Sequence, residues 1–235
     1  MPRSDLGLLL LHALPLDGQM WESHLGILPE RTFAPDLYEC GNELRLWAEY
    51  CLKHVPTDRF VVAGCSVGGS CALEILRLAP ERVAATVLIG TKARHDPDPA
   101  LAAEAIKTVQ NRGIEVAWKL FWEPLFALPN HGAAQNRSRA IALDQSPNDL
   151  INGLTAFHTR ASREDIVKNS TNPIHVVSGE LDKFPGVAYS QRLAALNPKA
   201  SLHVIESCGH YAPIARPDET SALIAGVINQ VTAIR

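Results

Sequence analysis

The sequence predicts an α/β fold: a mostly parallel sheet of about six strands wrapped by helices, with a helical cap inserted into it. Three observations carry this. Short apolar runs alternate with longer stretches of helical periodicity. The runs are continuously apolar rather than alternating, which suits strands covered on both faces. One long stretch, 93–170, carries helical pattern and no convincing strand. Its length of about 75 residues exceeds what a crossover between neighbouring parallel strands needs.

The first run is Leu8, Leu9, Leu10 and Leu11, followed by turn residues Pro15, Asp17 and Gly18. The second, at 32–34, is short and closed by Pro35 and Asp36. The third is 60–63, the fourth 85–89, the fifth 174–177 and the sixth 202–205. Helical pattern covers 43–54, where Leu44, Trp47, Ala48, Cys51 and Leu52 recur at helical spacing, and 69–78, 190–196 and 220–231. Within 93–170 it covers 99–110, 113–125, 131–143 and 147–158, punctuated by Pro97, Pro99, Pro124, Pro129 and Pro147. The chain therefore reads as a core of residues 1–92 and 171–235 with a cap at 93–170. No run precedes Gly7.

At 235 residues the chain can hold one sizeable core with an insertion. The AVILMFWYC set makes up 46% and charged residues 20%, which excludes disorder. Lys plus Arg number 22 against 25 Asp plus Glu, so the net charge is -3, which gives nucleic-acid binding no support. No apolar run reaches about 18 residues, so no membrane span is expected. The five cysteines are odd in number and form no CxxC pair. Neither a structural zinc site nor a disulfide framework is expected, and reduced thiols in a cytoplasm fit best. Arg3 followed by the apolar 6–11 has some look of a signal peptide, but Asp5 interrupts it and no small-x-small cleavage site follows.

The strongest chemical signal is Gly64-Cys65-Ser66-Val67-Gly68, backed by Gly69. It is a G-x-S-x-G elbow between a strand and a helix, the context that presents a serine hydroxyl at a sheet edge. The flanking glycines let neighbouring backbones pass closely. A serine nucleophile needs a base, and the base an orienting acid. The fifth run leads into Ser178-Gly179-Glu180-Leu181-Asp182, and the sixth leads to Ser207-Cys208-Gly209-His210. Both follow the carboxyl end of a parallel strand, where such sheets bind ligands. Asp182 and His210 are the expected acid and base, with Glu180 as competing acid. The N–H of Val67, after the nucleophile, and that of Leu14, in the loop after the first run, are the expected oxyanion donors.

These residues resemble the α/β-hydrolase superfamily. The chain is most similar to its small bacterial branch of 3-oxoadipate enol-lactonases, carboxylesterases, pimeloyl-carrier-protein methyl esterases and cofactor-free perhydrolases. The matching stretches are LLHALPLDGQMW at 10–21, FVVAGCSVGGS at 60–70, APERVAATVLIGT at 79–91, PIHVVSGELD at 173–182 and CGHYAPIARP at 208–217. The resemblance implies an α/β-hydrolase fold and a Ser66, Asp182, His210 triad that needs no metal or organic cofactor. It also implies a small-molecule acyl substrate: an ester, lactone or thioester. The chain departs from the family in four places. Ala13 stands where glycine usually follows the histidine, Cys65 where histidine is common, and Ala215 where glutamate often follows the catalytic histidine. The usual N-terminal β-hairpin is missing, which against the family's larger sheet implies that the strand at 31–35 becomes an edge and allows a homodimer across it, although a short, Pro-terminated strand is partly self-protected. Hydroxynitrile lyases of this fold start similarly, which keeps cyanohydrin lysis open beside C–C hydrolysis, perhydrolysis and a non-catalytic ligand receptor.

Other residues invite readings. Cys65 lies beside the nucleophile, but an elbow presents only its central residue. His12 suits a structural loop histidine better than a second base. Trp118, Phe121, Trp122 and Phe126 in one cap segment, with Phe157 further on, either pack the cap or roof an apolar pocket. Trp118, Trp122, Phe126 and Phe157 are taken as candidate substrate contacts. Arg137, Arg139 and Arg160 are either solvated helix faces or a clamp for a substrate carboxylate.

Overall fold

The computed structural model describes residues 6–126 and 132–233. The strands are β1 (Leu6–Leu11), β2 (Thr32–Phe33), β3 (Arg59–Cys65), β4 (Val83–Ile89), β5 (Ile174–Gly179) and β6 (Ala200–Ile205). They form one sheet in the order β2-β1-β3-β4-β5-β6, and every pairing is parallel. All positions of β1, β4 and β5 are buried, as continuous apolar runs require.

Alternate residues serve opposite layers, the period-two rule of a strand. Leu9, Leu11 and Val62 join a core layer with Trp47 of α1 (Leu44–His54) and Ile75 of α2 (Val67–Leu78). Leu8, Leu10, Val61 and Ala63 face the other layer, with Trp21, Ile224 and Val227. Trp21 belongs to a 3-10 helix at Gly18–Ile27, capped by the Asp17 carboxylate. This helix is absent from the sequence reading because its apolar residues lack a 3.6-residue period.

Register brings the carboxyl ends of the central strands level. Leu11 pairs with Gly64, Cys65 with Ile89, and Ile89 with Val177. Loops that leave these ends therefore converge. At one margin of the sheet stands the two-residue β2, and among the described residues no strand lies beyond it.

Between β4 and β5 the described residues are helical or irregular throughout: α3 (Pro99–Arg112), α4 (Ile114–Ala117), α5 (Gly132–Asp144), α6 (Pro147–Thr159) and α7 (Glu164–Asn169). Arg163 ties this stretch to α2 by an ion pair with buried Glu74 at 2.7 Å, and its N–H donates to the Ala93 carbonyl. The single helix expected over 113–125 is divided. Gly113, with φ +84, separates α3 from α4; Trp118–Trp122 then form a π turn and Glu123–Leu125 a 3-10 turn holding Pro124. Proline lacks the N–H that would continue the helix. The part of the expected 131–143 helix at residue 131 lies outside the described residues. After β5 and β6 come α8 (Val187–Ala194), α9 (Ala212–Ala215) and α10 (Pro217–Ala233). All five cysteines are free thiols, and no helix among the described residues is long and apolar enough to cross a membrane.

Candidate active site

β3 ends in a sharp turn at Ser66, with φ 54 and ψ -115, and α2 starts at Val67. Such a conformation costs a non-glycine residue about 1–3 kcal/mol and persists only where its surroundings enforce it. Here the Ser66 N–H donates to the Ile89 carbonyl at 2.8 Å. The Ser66 carbonyl accepts from the Gly69 N–H and from Thr91 Oγ1, at 3.1 and 3.2 Å. Side chains at the flanking glycines would not fit. A Cβ on Gly64 would stand 2.3 Å from the Gly68 carbonyl oxygen, and one on Gly68 2.2 Å from that of Leu11. The Val67 N–H belongs to the first turn of α2, whose amides have no intrahelical acceptor and sit at the positive end of the helix dipole.

The loops after β5 and β6 are bonded to each other: the Leu181 N–H donates to the Cys208 carbonyl at 2.9 Å. This sets Asp182 Oδ2 3.0 Å from His210 Nδ1, with both side chains buried. The other oxygen, Oδ1, accepts the Phe184 N–H at 2.8 Å. The carboxylate is thus fixed at both oxygens, and the His210 ring is oriented with Nε2 left available. Glu180 is exposed and turned away; its Oε2 accepts the Ser207 N–H at 2.9 Å. Of the two acids considered from sequence, only Asp182 meets the histidine.

Leu14 stands on the loop after β1. Its carbonyl accepts Tyr211 Oη at 2.8 Å, and the Leu14–Pro15 peptide is cis. Ala13 is fully buried and keeps a negative φ, so its methyl brings no left-handed strain. Its N–H donates to Met20 Sδ at 3.3 Å and its carbonyl accepts Tyr38 Oη at 3.2 Å. His12 Nε2 accepts the Leu37 N–H at 2.9 Å, and burial pushes its pKa down to about 4. A neutral ring committed to a backbone bond holds the loop together and is not a free base. Cys65 is fully buried beneath the elbow, and burial pushes its thiol pKa up, which removes it as a nucleophile.

Ser66, His210 and Leu14 open onto one cavity of about 500 Å³. Its roof and walls include Leu120, Phe121, Trp122, Leu125, Leu154 and Phe157. Of the four aromatic residues taken as substrate contacts, Trp122 and Phe157 line it. Trp118 does not: it is fully buried in the core layer behind. Phe126 lies between Trp118 and Tyr211, at centroid distances of 5.8 and 4.9 Å, and is also outside the lining. The π turn lies between these fates, with Trp118 at its start and Trp122 at its end. Arg137 and Arg139 pair with Glu22 and Glu115, away from the cavity, whereas Arg160 is on its wall. Sequence reasoning missed Leu120, Leu125 and Gly90 as cavity residues. A glycine directly after an apolar run was the available signal for Gly90. Among the described residues, no group of three or more His, Cys, Asp or Glu is gathered to hold a metal ion.

An acid–histidine pair and an elbow serine on one cavity, at the carboxyl edge of a parallel sheet, are the architecture of an α/β-type hydrolase. The chain belongs to the α/β hydrolase family: the model of that family matches residues 8–223. It is 29% identical to a pimeloyl-[acyl-carrier protein] methyl ester esterase of Aromatoleum aromaticum, over 97% of this chain and 99% of that one. It is 26% identical to the lipase LipV of Mycobacterium tuberculosis, over 95% and 93%. The solved structure of a thermophilic esterase from Thermogutta terrifontis superposes with a TM-score of 0.88 at 23% identity, covering 96% of this chain and 90% of that one.

Proposed function

We propose that the protein is a serine hydrolase that cleaves a small ester, lactone or thioester through an acyl-enzyme on Ser66. The observation that carries this is the Asp182–His210 pair at 3.0 Å on the cavity that Ser66 opens into. His210 Nε2 takes the Ser66 hydroxyl proton as Oγ bonds to the substrate carbonyl carbon. The Val67 and Leu14 N–H groups hold the resulting oxyanion. When the tetrahedral intermediate collapses, the proton passes from His210 to the leaving alcohol or thiol. Water then attacks the acyl-enzyme, His210 takes its proton, and that proton returns to Ser66 as the acid departs. Asp182 fixes the imidazole tautomer and stabilises its cation throughout. The chemistry is complete with protein groups and water.

The apolar roof of Trp122, Phe121 and Phe157 suits an apolar stretch of the acyl group. The test is a panel of 4-nitrophenyl esters from acetate to octanoate, with lactones and thioesters alongside. Turnover lost on Ser66→Ala supports the reading. Turnover that survives Ser66→Ala, or none with any of the three classes, overturns it.

A further inference from the structure

Arg160 caps the C-terminus of α6, and only 8% of its surface is exposed. It lies on the wall of the cavity that holds Ser66 and His210. Among the described residues no carboxylate pairs with it. The acids on the same wall are engaged elsewhere: Asp96 pairs with Arg94 at 3.0 Å, and Asp98 Oδ1 accepts the Leu101 N–H at 2.9 Å. One face of the guanidinium stacks on Phe157, 3.9 Å from the ring centroid, and Nη1 donates to the Phe157 carbonyl. Nε is buried with no hydrogen-bond partner.

A buried charge with an unsatisfied donor is unfavourable unless a partner arrives. Burial lowers the Arg160 pKa to about 10, so the group stays charged at neutral pH. With Nη1 used, the Nε–Nη2 edge remains. Its two parallel donors match the two oxygens of one carboxylate. Phe157 fixes the plane of that fork before any ligand binds. Lys92 stands on the same wall and adds a second positive charge, with no ion pair among the described residues. Ser70, Lys92 and Arg160 also line a second cavity of about 430 Å³, so the cation lies where the two spaces adjoin. Ser70 is one helical turn beyond Ser66 on α2, which puts the junction beside the reacting end and not across the molecule.

We infer that Arg160, assisted by Lys92, forms a carboxylate subsite in the Ser66 cavity, so that the substrate carries an anionic group remote from the bond that is cleaved. The kinetic form of this inference rests on the hydrolase reading above; its binding form does not.

The experiment compares the mono-4-nitrophenyl ester of adipic acid with 4-nitrophenyl hexanoate, and 3-(hexanoyloxy)benzoate with phenyl hexanoate. The carboxylate is thus offered on the acyl side and on the leaving-group side. The readout is the ratio of kcat/KM, charged over neutral, in wild type, Arg160→Met and Arg160→Lys. In at least one pair the wild-type ratio is expected to exceed that of Arg160→Met at least tenfold, carried mainly by KM. Arg160→Lys should fall between, since an ammonium keeps the charge without the fork. Adipate binding, followed by calorimetry, should weaken with added salt and at least tenfold in Arg160→Met. If Arg160→Met does not fold, Arg160→Lys and the salt dependence decide. Ratios that are equal across the variants in both pairs, together with adipate binding that ignores residue 160, overturn the subsite. If wild type turns over no ester, lactone or thioester while Arg160-dependent adipate binding is present, the hydrolase reading fails and the subsite stands.

Discussion

Gly90 makes room for His210. A Cβ on Gly90 would lie 2.9 Å from His210 Nδ1 and 3.3 Å from Asp182 Oδ2, inside the space the acid–histidine pair occupies. Gly90 also has φ +55, a left-handed conformation that disfavours any side chain. The residue directly after β4 thus sets the position of a histidine more than a hundred residues later by leaving it space.

Gly90→Ala is therefore expected to lower kcat at least tenfold by displacing the imidazole. It should also cost about 1–2 kcal/mol of stability through the left-handed backbone. Steady-state kinetics and urea unfolding separate the two effects. A variant with full kcat would mean that His210 tolerates the displacement and that its position is not critical.

Ser66→Ala and His210→Ala should each reduce turnover of a short aryl ester by several orders of magnitude. In the proposed mechanism the two groups share one proton transfer, so the double variant should be little worse than either single. Losses that multiply would show the two acting separately and would count against a shared mechanism.

The two tryptophans of the π turn should behave differently. Trp118 is fully buried in the core, so Trp118→Ala should cost about 3–5 kcal/mol, with the preference for acyl chain length preserved. Trp122 lines the cavity, so Trp122→Ala should shift that preference toward longer acyl chains. Chain-length profiles beside melting curves distinguish these outcomes. A preference that moves with Trp118 and not with Trp122 would reverse the assignment.

Stability should fall in mild acid. Burial holds the His12 pKa at about 4, below its ordinary 6.5. Between these values the unfolded chain takes up a proton that the fold refuses. The contribution is whole above pH 6.5 and is lost as pH falls toward 4, on the order of 3 kcal/mol for this group. His24 and His175, also held near 4 by burial, act with the same sign. His12→Asn, which can keep an acceptor for the Leu37 N–H, should show a shallower acid limb in denaturant titrations at pH 7, 5.5 and 4.5. Parallel limbs for wild type and variant would assign the acid sensitivity to other groups.

Much of this was legible in the sequence because it rests on local chemistry. Four leucines in a row need two covered faces, and β1 has them. Gly64, Ser66 and Gly68 can be read as an elbow because close backbone approach leaves glycine as the only fit. The order of Ser66, Asp182 and His210 follows from strand ends that the apolar runs already marked. Other features depend on contacts between distant segments. The 113–125 stretch has the pattern of one helix, yet cavity and core each claim a tryptophan, and the helix widens into a π turn between them. Arg137, Arg139 and Arg160 look alike in sequence. Only folding shows that Glu22 and Glu115 neutralise the first two and that, among the described residues, no carboxylate pairs with the third. The role of Gly90 is invisible until His210 arrives beside it.

The central claim is that Ser66 is a nucleophile activated by the His210–Asp182 pair. It is tested most directly by treating the intact protein with a fluorophosphonate and mapping the adduct by mass spectrometry. The account predicts one adduct, on Ser66, absent in Ser66→Ala and formed at least a hundredfold more slowly in His210→Ala. An unlabelled wild type, or an adduct that persists on another residue in Ser66→Ala, would contradict it.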